Sequence, residues 1–153
     1  MNWGFVFGLT NAVALVGWVM LALRPRGPRL MATVMYGGVA LLCLVYALML
    51  GLLMTKVIDP VIVSAPAEAA SFRSIGGIRA LFASDGGIVL GWTHYLAFDL
   101  FVGLWIARDA DHKGFSRIFQ LPFLVATLLA GPVGLIAWLI VRERRARQVA
   151  RGT

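Results

Sequence analysis

Four long apolar runs, at about residues 3–23, 30–54, 88–108 and 115–141, alternate with basic or proline-rich breaks. Roughly 20 apolar residues in a helix cross a ~30 Å hydrocarbon core. The pattern therefore predicts an all-α integral membrane protein, a four-helix bundle in one domain spanning residues 1–153. The first run stops at R-P-R-G-P-R, where two prolines forbid continuation and Arg24, Arg26 and Arg29 mark an interface. The second is uncharged, and Gly37, Gly38 and Gly51 permit close helix approach. The fourth contains Pro122 and the stretch G-P-V-G at 131–134, where a missing backbone donor predicts a kink. The one long connection, 55–87, carries Phe72, Ile75, Ile78 and Phe82 on one side of a helical projection. That predicts a short interfacial helix on the membrane surface, with Arg79 snorkelling to the headgroups.

The third run departs from this pattern because it carries ionisable groups at membrane depth. It reads G-W-T-H-Y-L-A-F-D-L-F-V-G-L-W-I-A-R-D over Gly91–Asp109. An intramembrane acid costs several kcal/mol by order of magnitude unless it faces the protein interior, so it marks a functional site by default. At about 100° per residue, Tyr95 and Asp99 share one face, with Trp92 a turn below. His94, Phe98, Phe101 and Trp105 form a second, aromatic stripe. His94 and Asp99 stand about 140° apart on the same helix, so joint chemistry needs a ligand, a water chain or another helix. The expectation is that the Tyr95–Asp99 face points into the bundle and that His94 borders the same cavity. His94, Tyr95 and Asp99 are the catalytic candidates; Asn11, Trp18, Trp92, Phe98, Trp105 and Arg108 are the substrate-binding candidates. The plainer alternative has His94 bonded to a backbone carbonyl, Asp99 paired with an arginine, and Asn11 as interhelical glue worth about 0.6 kcal/mol.

Composition narrows the classes. The chain has 153 residues, 60% of them apolar and 14% charged, with a mean hydropathy of +0.85. This excludes a soluble domain and leaves no length for a separate catalytic module. The single cysteine, Cys43, rules out an intrachain disulfide and a cysteine-based metal site. Asp109, Asp111 and His112 lack an established ligand spacing and read as a solvated loop rather than a metal site. The net charge of +7 is gathered at the ends of the apolar runs, including the tail after Val141. It suits anionic lipid headgroups rather than nucleic acid. The amino-terminal stretch lacks the basic region of a secretory signal, and a bacterial inner membrane is the expected location. With four crossings, both chain ends and the long connection share eight Lys/Arg, against six in the two short connections. The positive-inside rule then leans towards cytoplasmic ends, although no basic residue precedes the first helix.

The segment L-F-A-S-D-G-G-I-V-L-G-W-T-H-Y-L-A-F-D-L-F-V-G-L-W-I-A-R-D resembles the ABA4-like (abscisic acid-deficient 4-like) family of small membrane proteins. N-A-V-A-L-V-G-W-V-M-L-A-L-R-P-R in the first helix and G-P-V-G-L in the last add to the resemblance. The plant member of that family is required to make neoxanthin, an allenic carotenoid. The resemblance thus implies a carotenoid- or isoprenoid-modifying protein that turns an epoxide into an allene by acid/base chemistry, without a redox cofactor. Family members commonly carry arginine where this chain has Leu104, which favours an altered substrate. The alternative is a non-catalytic pigment- or lipid-binding subunit, in a homo-oligomer or a larger membrane complex. A proton-relay transporter would need more intramembrane polar residues than this chain has.

Overall fold

A computed structural model describes residues 1–23 and 26–150, with side chains through residue 143. Arg24 and the basic tail from residue 144, both expected at the headgroups, lie outside the described side chains. Four helices are long and apolar enough to cross a membrane. They are α1 (Trp3–Leu23), α2 (Pro28–Met54), α4 (Asp85–His112) and α5 (Arg117–Ala150). A short helix, α3 (Ile75–Leu81), interrupts the long connection.

The hub is α4, which packs against all three other long helices. Small residues set the spacing. Leu100, fully buried, projects between Gly17 of α1 and Gly38 of α2, where a Cβ would lie only 2.8 and 2.9 Å from its methyl groups. The ring of Trp18 covers Gly103 in the same way, and Trp3 covers Gly86. Such close approach is how membrane helices gain dispersion contacts when lipid is as apolar as their own side chains. The order of these contacts shows that α1 and α4 run parallel, with α2 returning between them. Around Gly37 and Gly38, α2 widens into a π-helical stretch, Val34–Ala40, which turns Gly38 and Val34 inward against the core.

The long connection is tied down at its base. Backbone bonds link Val61 to Asp85, Pro60 to Gly86, and Val63 to Ala83, and Trp3 Nε1 donates to the Asp59 carbonyl at 3.1 Å. Ser74 and Ser84 cap α3 and α4 by accepting from the amides of Gly77 and Gly87. Phe82 lies over Gly91, whereas Phe72 and Ile75 are 86% and 81% exposed. The apolar side of this segment therefore faces outward, as a surface resting on acyl chains would.

The last helix goes beyond the kink expected at G-P-V-G. Ala130 leaves helical geometry (φ −156°, ψ 73°), and the chain reverses rather than kinks. The Trp138 ring lies 5.2 Å from Phe115 and 5.4 Å from Phe123; in a straight helix, residues 115 and 138 would stand about 34 Å apart. Thus α5 is a hairpin with arms 117–129 and 131–150. Two local features favour the reversal. Pro132 offers no amide hydrogen to the turn before it. Gly134 lacks the Cβ that would otherwise run into the Thr127 backbone where the arms cross.

Candidate functional site

Asp99 is buried (9% exposed) near the middle of α4, and the hairpin tip rests on it. Gly131 packs directly on the carboxylate: a Cβ there would overlap Asp99 Oδ1. Asp99 Oδ2 is buried without a hydrogen-bond partner among the described residues. The Tyr95 hydroxyl lies beside the same carboxylate and the Gly131 backbone, and donates to the Leu129 carbonyl at 3.3 Å. Breaking the helix at Ala130 frees backbone polar groups at this depth. Such groups are tolerated inside a membrane only where protein or a cavity receives them. Tyr95 receives one of them, the Leu129 carbonyl, here.

The polar group continues toward α1. The Trp92 ring stacks on Tyr95 at 5.2 Å, and Trp92 Nε1 donates to Asn11 Oδ1 at 3.1 Å. Asn11 in turn donates to the Phe7 carbonyl at 2.6 Å. Asn11, Trp92, Tyr95 and Asp99 therefore form one connected strip across α1, α4 and the hairpin tip. Trp18 lies further along α1, lining an apolar cleft of about 220 Å³ between α1 and the first hairpin arm, bounded by Leu121, Leu124 and Leu128. Leu128, which lines the cleft, directly precedes Leu129, whose carbonyl Tyr95 bonds.

The remaining candidates are placed elsewhere. His94 does not meet Asp99 or border its site. Its ring faces Tyr46 of α2 at 5.6 Å and stacks on Phe98 at 4.6 Å. There it lines an outward apolar groove of about 280 Å³ with Cys43. The cause is the 140° separation noted above: α2 occupies one side of α4 and the hairpin the other. Trp105 lies under the Arg142 guanidinium, 5.4 Å from its ring centre, and Arg108 is exposed. Neither belongs to the Asp99 strip.

The acids at the end of α4 also do more than line a solvated loop. Asp109 accepts from Arg142 at 2.7 and 3.0 Å, from Trp138 Nε1 at 3.0 Å and from Lys113 at 2.8 Å. Asp111 accepts from Arg26 at 3.1 Å and from Gln120 at 3.0 Å, and Arg26 also bonds Gln120. Burial pulls the Arg26 guanidinium below its ordinary pKa, and Asp111 opposes the shift. These contacts fasten both feet of the hairpin to α4 and to the α1–α2 turn. The sequence signal for them was a lone glutamine in an apolar run and acids one turn before a glycine turn.

A family model described as "ABA4-like: ABA DEFICIENT 4-like" matches residues 5–138. The chain belongs to the ABA4-like family. No curated protein and no solved structure matches it. The family match in this ABA4-like chain takes in both sides of the hairpin tip and ends at the residue that closes the second arm onto Asp109. Leu104 is 1% exposed within the apolar core. Among the described residues no ion pair reaches Asp99.

Proposed function

We propose that this ABA4-like protein acts on an isoprenoid-type polyene within the membrane, in the bacterial case the inner membrane, with Asp99 and Tyr95 handling the proton. The observation that carries this reading is the buried Asp99 carboxylate, with one oxygen unpartnered, set against an interrupted backbone. An acid at membrane depth is costly, and among the described residues no ion pair offsets this one. The apolar cleft between α1 and the hairpin, lined up to Leu128, supports an apolar chain as ligand. Conversion of an epoxide to an allenic alcohol breaks a C–O bond, adds a proton to the oxygen and removes one from a polyene carbon. The balance is neutral in protons and electrons, so one carboxyl group that gives a proton and takes one back suffices. Tyr95 bridges between Asp99 and the ligand, and Trp92 and Asn11 hold Tyr95 in place. His94, on the far face, has no part in that step.

A second reading rests on a different observation. His94, Phe98, Phe101 and Trp105 present an outward stripe, with Phe98 55% and Phe101 46% exposed. A non-catalytic pigment- or lipid-binding subunit would use that stripe to hold a flat conjugated ligand.

Purified protein in lipid nanodiscs, supplied with a 5,6-epoxy-carotenoid and assayed by chromatography, separates the two. On the first reading the wild type forms the allenic product, and Asp99→Asn lowers the rate by about 10²–10⁴-fold, the range of a general acid–base group, while His94→Ala does not. No turnover by folded wild type, together with pigment that co-purifies and is lost in His94→Ala, establishes the second reading instead.

A further inference from the structure

The reversal in α5 changes the number of membrane crossings, independently of any function assigned to Asp99. At 1.5 Å per residue the first arm, 117–129, is about 20 Å long, short of a ~30 Å hydrocarbon core. Its tip stops at Asp99, half-way along the 28-residue α4. The second arm then returns to Asp109, at the end where the first began. Both feet of α5 are therefore at the same end of the molecule as the α1–α2 turn.

This rearranges the charges. Under four crossings the Lys/Arg count was eight against six, which barely favours either orientation. Under three crossings the end opposite the hairpin feet holds only Lys56, Arg73 and Arg79, and the other eleven of the fourteen basic residues belong by sequence to the hairpin end. Basic residues in short connections flanking spans set orientation, and an imbalance of this size does so clearly.

We infer that α5 is a re-entrant hairpin that enters and leaves by one leaflet, so that the chain crosses the membrane three times. Its basic end lies on the cytoplasmic side and faces that leaflet's anionic headgroups. The residues before α1 and the 55–84 connection lie on the opposite side. The cleft between α1 and the first arm lies in the half of the molecule nearer the basic end, so an apolar ligand enters it from the cytoplasmic leaflet.

The test is a topology map of the full chain in bacterial cells. Compartment-sensitive reporters are fused at Met1 or at Thr153. In a Cys43→Ser background, Ala70→Cys and His112→Cys are probed with an impermeant thiol reagent. The expected result is reporters on opposite sides, with the Met1 fusion outside. Ala70→Cys reacts in intact cells, and His112→Cys reacts only after they are opened. Reporters on the same side mean four crossings and overturn the hairpin's re-entry. Opposite sides with the Thr153 fusion outside overturn the orientation and leave the re-entry standing.

Discussion

Two glycines decide whether the hairpin can close. Gly134 meets the Thr127 backbone, which cannot swing away, and Gly131 meets the Asp99 carboxylate, the end of a short, buried side chain. Gly134→Ala should therefore destabilise the fold by about 1–3 kcal/mol, the usual cost of overpacking, read as a lower midpoint of thermal unfolding in detergent. Gly51→Ala is the control, because nothing lies within 4 Å of its added methyl and alanine favours a helix by up to about 1 kcal/mol over glycine. Equal midpoints for the two variants would show that the arms do not cross at Gly134. The same reasoning explains why Leu100 is so confined: two glycines on different helices give it room, and a larger residue on either would push α1 or α2 away from α4.

Among the elements, α5 owes its shape to its ends as much as to its tip. Asp109, whose side chain is 11% exposed, accepts from Trp138 and Arg142 of the second arm and from Lys113 in the entry turn. Removing one partner of a largely buried charged group costs roughly 3–5 kcal/mol, and the partners stranded by Asp109→Ala all belong to α5 or its entry turn. Hydrogen exchange should therefore quicken in residues 131–143 of that variant and remain slow in α1. Uniform quickening throughout would mean that the arm is not separately held. This element also marks the limit of what the sequence could tell. The apolar runs, their charged or proline-rich ends, and the inward face of Tyr95 and Asp99 follow from periodicity and desolvation alone. G-P-V-G announced a break at 131–134, but a kink and a reversal share that local signal. What separates them is the distant pairing of Trp138 and Arg142 with Asp109, which no local pattern contains. His94 was misplaced for a related reason: the 140° offset was visible, but which helix filled each side of α4 was not.

At the scale of the whole molecule, apolar area and charge are sorted along one axis. Large side chains such as Phe5, Leu129 and Ile140 are exposed by 68%, 73% and 54%, which a hydrocarbon solvent accepts and water does not. The net charge of +7 is concentrated at the end where the hairpin is fastened. A Lys or Arg near an anionic membrane surface contributes about 1 kcal/mol, and surface electrostatics of this kind is screened within about 8 Å at physiological ionic strength and about 3 Å at 1 M salt. Anionic lipid should bind the folded protein better than the unfolded chain, because folding gathers the charges on one face, and ligand that prefers the folded state raises its stability. The unfolding temperature should thus be higher in nanodiscs containing phosphatidylglycerol than in pure phosphatidylcholine, and about 1 M salt should remove most of the difference. The same comparison after truncation at Glu143, which deletes four arginines, should show a smaller lipid effect. A difference that survives both high salt and truncation would assign the lipid preference to acyl-chain packing rather than to the basic end.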